Sequence, residues 1–401
     1  MFFNTVLRPG GVPMDPNILL NLRKFLVPEI VYGSGALGLA GRHAGNFGAS
    51  RVLIVTDPGV IAAGWAKRVV ASLEEAGIGY AMFSAVTPNP KDHEVMAGAQ
   101  LCRREACDLI LAVGGGSPMD CAKGIGVVVG NQGHILDFEG VDAIPKPGPP
   151  LIFIPTTAGT SADVSQFAII TDTDRGVKIA IISKMVIPDI SLVDPETTAT
   201  MPAELTAATG MDALCHAFEA YVSTASSPLT DMAARQAVRL IVDNLAGAYT
   251  EPSNLTFRDN MMMASLMAGL AFSNASLGLV HAMAHSLGGA KDLAHGECNA
   301  LLLEKVVGFN FTAASQKYTQ LAADMGVGSA GRDASEIAAA LTDRVASLRR
   351  SLGINQRLKE MGVILTDLPQ LAEYASKDPC LATNPREASP TEIASVFEEI
   401  Y

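Results

Sequence analysis

The strand signal in this chain stops at Pro202, and that switch restricts the fold more than any other feature of the sequence. Before it, short apolar runs alternate with helical stretches. Residues 51–57 form a β-branched run that ends in a turn; 65–76 read as a helix, 79–83 as a strand and 92–106 as a helix. Residues 108–113 are a strand running straight into a glycine cluster, 151–154 are a further strand, and 167–170, 178–182 and 190–193 are three more β runs. Continuous apolar strands separated by helices indicate a parallel sheet covered on both faces. After Pro202, Ala, Leu and Met dominate with helical spacing over 203–222, 230–245 and 258–272, and the tail also reads helical. The predicted class is α/β plus all-α: a parallel-sheet domain over 1–198, then an all-helical domain over 199–401. At 401 residues the chain is long enough for two domains of ordinary size. Its 49 % hydrophobic and 17 % charged residues fit large cores rather than long disorder.

A formal net charge of −12 and the lack of any Lys/Arg run argue against a nucleic-acid partner held by phosphate neutralisation. No uninterrupted apolar stretch approaches the ~20 residues that span a bilayer, so no membrane partner is expected. The start lacks the charged-then-apolar layout of a signal. Six cysteines occur without a Cys-x-x-Cys pair, and a predicted helix separates the closest two, Cys102 and Cys107. That pattern reads as free thiols in a reducing, cytoplasmic setting. Cys215 and Cys298 stand beside the histidines described below and read as small packing residues. Residues 18–26 carry a brief apolar period that fits a short amphipathic helix.

Gly114-Gly115-Gly116-Ser117 follows a strand and opens a helix through Pro118, Asp120 and Lys123. Glycines let backbone N–H groups approach a phosphate, and a helix N-terminus adds a favourable dipole. Three glycines and a serine at the carboxyl end of a strand favour phosphate binding over a bare turn. The Gly-x-Gly-x-x-Gly fingerprint is absent. The second polar loop, Thr156-Thr157-Ala158-Gly159-Thr160-Ser161, suits a cofactor contact and a helix cap equally. Asp57, at the end of the first strong strand, reads by itself as an N-cap or turn residue.

His281 and His285 lie one helical turn apart, with His295 soon after, so three of the seven histidines fall within fifteen residues. Asp212 and His216 form a second four-residue pair, and each pair can share one helix face. Neutral imidazoles plus a carboxylate suit a borderline divalent metal such as Fe2+ or Zn2+. Spacing nominates Asp212, His216, His281 and His285, with His295 as a further candidate; it does not decide which histidine stays off the metal.

Four segments in order, 114–123, 156–160, 205–220 and 278–288, resemble the iron-containing (group III) alcohol dehydrogenases, and the similarity runs from about Phe25 to the C-terminus. The resemblance implies a Rossmann-like N-terminal domain, an all-helical C-terminal domain in a dehydroquinate synthase-like architecture, and an active site in the cleft between them. It implies Asp212, His216, His281 and His295 as metal ligands, Fe2+ or Zn2+ as the metal, and His285 as a catalytic histidine near metal and nicotinamide. For NAD it implies Asp57, Gly114, Gly115, Gly116, Ser117, Asp120, Thr156, Thr157, Thr160 and Lys178. The chain departs from the family at Asp163, where a longer acid is common, at 291–294, where aromatic residues are common, and in an N-terminal extension of ~24 residues.

The activity so implied is hydride transfer between a small primary alcohol or aldehyde and NAD(H) by a metal-dependent homodimer or higher homo-oligomer. An acid at Asp57 would accept hydrogen bonds from ribose hydroxyls and repel a 2′-phosphate, favouring NAD over NADP. A sugar-phosphate cyclase of similar architecture, a lyase, would need basic residues near the ligands, and the helical half lacks a Lys/Arg cluster there. A transhydrogenase, or a reductase of a hydroxy acid or other acidic substrate, stays within the same family. A non-catalytic metal-binding protein would have no use for the cofactor loops.

Overall fold

A computed structural model describes residues 24–401. The amphipathic reading of 18–26 and the N-terminal extension therefore lie almost wholly outside the described residues; 24–28 have no regular structure. The first half holds strands β1 (Glu29–Tyr32), β2 (Arg51–Val55), β3 (Gly79–Phe83), β4 (Leu109–Gly114), β5 (Gly140–Val141), β6 (Leu151–Pro155), β7 (Phe167–Asp172), β8 (Val177–Ile182) and β9 (Ile190–Val193). Helices α1 (Ala40–Asn46), α2 (Pro58–Ala62), α3 (Trp65–Glu75), α4 (Asp92–Arg104) and α5 (Gly116–Gly130) alternate with them.

Six strands form one sheet in the order β1-β9-β6-β4-β2-β3, and every pairing within it is parallel. Side chains alternate between its faces. Leu53, Ile110 and Phe153 pack into one core with residues of α4 and α5, while Val52, Ile54, Leu111 and Ile152 pack into the other with Val69 and Leu73 of α3. Burial on both faces explains why these strands are apolar throughout.

Three features depart from the sequence reading. β1 was not foreseen, yet it pairs with β9 at the sheet edge from Glu29↔Ile190 to Tyr32↔Val193. The runs at 167–170 and 178–182 do not join the main sheet: β7 and β8 pair antiparallel in a three-stranded sheet ordered β5-β8-β7. Cys102 and Cys107, expected to be separated by a helix, flank the C-terminal turn of α4 with Cys102 Sγ 3.8 Å from the Cys107 carbonyl oxygen. Both thiols are free.

After β9 only helices follow: α6 (Ala203–Val222), α7 (Pro228–Thr250), α8 (Leu255–Ala275), α9 (Leu279–Lys291), α10 (His295–Asn310), α11 (Ser315–Asp324), α12 (Ala334–Ser351), α13 (Leu368–Ser376) and α14 (Pro390–Glu399), with short 3-10 turns. α7 and α8 extend beyond the predicted limits at both ends. Every residue from Thr206 to Val222 of α6 is buried, as is every residue from Leu279 to Gly288 of α9. A helix apolar all round belongs at the centre of a bundle, and these two central helices carry the Asp/His motifs. No single described helix is long and apolar enough to cross a membrane.

Candidate active site

β2, β4 and β6 are neighbours in the sheet, so their carboxyl ends bring Asp57, the glycine loop and the Thr-rich loop together at one edge, where open α/β sheets bind ligands. The glycines let the two loops touch. A Cβ on Gly115 would stand 3.1 Å from Thr157, and one on Gly116 3.1 Å from Thr160. Asp57 is an N-cap: its Oδ1 accepts from Val60 N–H at 2.9 Å, as the sequence read alone suggested. It also lines the cleft.

That cleft, of about 860 Å³, runs from the sheet edge to the helical half. Asp57, Gly115, Gly116, Ser117, Asp120, Thr156, Thr157, Thr160 and Lys178 line it, together with Asp212, His216, His281, His285 and His295. Gly114 is buried in β4 behind the loop and does not line it. Burial raises the Asp120 carboxyl to about 6 despite nearby Lys123 and Lys178. Burial lowers the Lys178 ammonium.

At the helical end, Asp212 and His216 share one face of α6, His281 and His285 one face of α9, and His295 opens α10. The Nε2 atoms of His216, His281 and His295 lie 3.8, 3.7 and 3.8 Å from Asp212 Oδ1. These separations are too long for hydrogen bonds. Donor atoms of Asp212, His216 and His281 all lie within 4.8 Å of one another. Two of the three rings are oriented from behind: His216 Nδ1 lies 3.1 Å from the Gly159 carbonyl and His281 Nδ1 2.6 Å from Glu219 Oε2. A Cβ on Gly159 would meet Thr209 O at 2.4 Å, so glycine there lets the Thr-rich loop lie against α6.

His285 faces a different partner: its Nδ1 is 2.8 Å from Asp378 Oδ2, beyond α13. It stacks on His295 with ring centroids 5.4 Å apart. Asn299 Nδ2 donates to Asp212 Oδ1 at 2.6 Å and lies 3.2 and 3.1 Å from His281 and His295 Nε2, with one N–H left between those two nitrogens. His295 Nδ1 and Asn299 Oδ1 are buried without a hydrogen-bond partner among the described residues.

The electrostatics are those of a cation site. Burial opposes a charge on Asp212, but His216, His281 and His295 outweigh it and hold the carboxyl well below its ordinary range. Burial lowers His216 to about 4 and takes His295 well below its ordinary value. Burial works against His281 too, yet Glu219 and Asp212 raise it to about 9. One ionised carboxylate and three convergent imidazole nitrogens fit a divalent Fe or Zn.

Asp163 points away from all this; it accepts from Ser191 Oγ at 2.6 Å in the core and does not line the cleft. Segment 291–294 does shape the cleft through Asp292, which Asn89 Nδ2 holds at 2.6 Å and Lys91 Nζ at 3.3 Å. Burial raises the Cys215 thiol well above its ordinary value and Cys298 to about 12, in keeping with packing roles. Glu219, Asn299 and Asp378 were not foreseen. Glu219, seven residues after Asp212 on one helix face, could have been found by spacing; Asp378, 93 residues from its partner, could not.

Residues 28–195 match the family model for iron-containing alcohol dehydrogenase, and residues 206–401 match that for the C-terminal part of the Fe-containing alcohol dehydrogenase family. The chain is 42 % identical over 380 residues to 1,3-propanediol dehydrogenase of Citrobacter freundii, covering 94 % of this chain and 98 % of that protein. It is 38 % identical over 374 residues to NAD-dependent methanol dehydrogenase of Bacillus methanolicus, covering 93 % and 98 %. The crystal structure of a 1,3-propanediol oxidoreductase superposes with a TM-score of 0.91 at 42 % identity, covering 94 % of this chain and 99 % of that one. The sheet-edge loops, the Asp/His cluster at the other end of the cleft and these matches lead to one conclusion: the chain belongs to the iron-containing alcohol dehydrogenase family and is an oxidoreductase of alcohols and aldehydes.

Proposed function

We propose that the cleft oxidises a small primary alcohol with NAD, or reduces the aldehyde with NADH, at a divalent metal held by Asp212, His216, His281 and His295. The observation that carries this is the convergence of three Nε2 atoms on one carboxylate oxygen, at the floor of a cleft whose other end is a glycine-rich strand-to-helix turn. When bound, the metal supplies Lewis acidity toward the alcohol oxygen and the dinucleotide accepts the hydride. The residues do the rest. The Gly114–Ser117 loop offers N–H groups to a pyrophosphate. Asp57 accepts from ribose hydroxyls, and Lys178 and Asp120 flank the path toward the nicotinamide end. Phe167, Phe272 and Leu277 give that end an apolar wall, which suits a short carbon chain and keeps water out. His285, oriented by Asp378, relays the alcohol proton toward solvent. Among the described residues, Lys178 is the one Lys or Arg side chain lining the cleft, against Asp57, Asp120, Asp212 and Asp292, which disfavours a phosphorylated substrate of the cyclase type.

The same reading divides the chain at 198/199 and places a homo-oligomeric enzyme in the cytoplasm. The free buried cysteines suit a reducing compartment, and the oligomer rests on the family resemblance.

Metal analysis of two variants tests the ligand set. His295→Ala should lose its metal equivalent. His285→Ala should keep it while turnover falls about 10²–10⁴-fold, the usual worth of general acid–base help. If the two outcomes are exchanged, His285 is the ligand and the nomination from helical spacing was the better one.

A further inference from the structure

Glu219 is a buried carboxylate, 4 % exposed, with no Lys or Arg paired to it among the described residues. Its two oxygens are both committed. Oε1 accepts from Val280 N–H at 2.6 Å, and Oε2 lies 2.6 Å from His281 Nδ1. Val280 is the second residue of α9, so the carboxylate closes the N-terminus of that helix, where the dipole favours an anion. Asn384 Oδ1 takes the neighbouring Leu279 N–H at 3.1 Å. Gly278 leaves room for both groups: a Cβ there would stand 2.8 Å from Asn384 Oδ1 and 3.0 Å from Glu219 Oε1. Glu219 thus ties the helix that carries His281 to the helix that carries Asp212 and His216.

The contact also dictates where the imidazole proton resides. A carboxylate only accepts, so the bond to His281 requires a proton on Nδ1. Nε2, 3.7 Å from Asp212 Oδ1, is then the atom left to offer a lone pair to a cation. The carboxylate behind the ring also makes Nε2 a better donor toward a cation on the ring's far side.

We propose that Glu219 is a positioning residue of the metal centre: it holds His281 in the Nδ1–H tautomer with Nε2 aimed at Asp212, and so sets how tightly the cleft holds its divalent metal. The proposal rests on the ligand set given above.

Glu219→Gln separates the possibilities, because Gln cannot replace both contacts. With Oε1 on Val280 N–H, its NH2 faces Nδ1 and favours the proton on Nε2. Turned over, its NH2 opposes the Val280 N–H. Zinc affinity of the purified protein, measured by chelator competition, should fall about 10–100-fold, the usual cost of losing an outer partner of a ligating histidine. The melting temperature of the metal-free variant should stay near that of the unmodified metal-free protein. His281→Ala is the control for the ligand set and should lose zinc. Should His281→Ala keep a full zinc equivalent, the ligand set itself is wrong. Unchanged zinc affinity in Glu219→Gln, with zinc lost in His281→Ala, overturns the role of Glu219 alone. If Glu219→Gln does not fold, Glu219→Asp carries the test. It keeps the charge but falls one methylene short of His281, so zinc should bind several-fold more weakly than in the unmodified protein; unmodified affinity there also overturns the proposal.

Discussion

Asp57 caps a helix and borders the cleft with one side chain. Its Oδ1 caps α2 through Val60 N–H, and the same side chain lines the sheet-edge end of the cleft. Glycine is nearly as good an N-cap, costing only a few tenths of a kcal/mol. Asp57→Gly should therefore leave the melting temperature almost unmoved while raising kcat/KM with NADP relative to NAD, because the charge that repels a 2′-phosphate is gone. Equal kcat/KM for the two cofactors in the unmodified protein would contradict that assignment. The sequence alone gave Asp57 only its capping role; the cofactor role came from resemblance. Among the histidines, spacing preferred His285 to His295, and the resemblance reversed that order. Both lie a few residues from His281, and what distinguishes them is a partner elsewhere. His285 Nδ1 meets Asp378, whereas His295 Nε2 faces Asp212.

At the scale of elements, α5 is anchored from below by Lys123. Its fully buried ammonium donates to Ser165 O and Oγ at 3.0 Å and to Phe167 O at 2.6 Å, tying the helix after the glycine loop to the entry of β7. Burial pushes this lysine from its ordinary 10.5 down to about 8. Between those values the unfolded chain holds a proton that the folded chain has released. The residue therefore contributes no pH dependence below about 8, and stability rising with pH from there to about 10.5. Lys123→Met should cost about 1–3 kcal/mol by leaving buried oxygens without a donor. The stability gap between the two proteins, from denaturant titrations at pH 7 and pH 9.5, should widen at the higher pH; a constant gap would contradict the shift. Element type was legible wherever burial was two-sided, as in β2, β4 and β6 or in α6 and α9. β1 was missed because only four residues at the sheet edge carry it. The antiparallel pairing of β7 and β8 was missed because apolar runs do not reveal strand direction.

The whole molecule joins two kinds of architecture along one cleft. The parallel sheet offers loops at its carboxyl edge, the central helices offer Asp212 and the histidines, and the cleft joins them. Contacts across it are specific. The Gly159 carbonyl touches His216, and Asn89 holds Asp292, both of the latter at positive φ of 55° and 52°. Such cross-cleft partners are invisible to spacing because they depend on how the halves dock. Alcohol oxidation should need both ends of the cleft, while dinucleotide binding should need only the sheet edge. The direct measurement is NADH formation from a short primary alcohol by protein stripped with a chelator, then reloaded with Fe2+ or Zn2+, with NADH binding followed by fluorescence throughout. The stripped protein should bind NADH and form none, and metal should restore turnover. Full turnover in protein shown to contain no metal would contradict it.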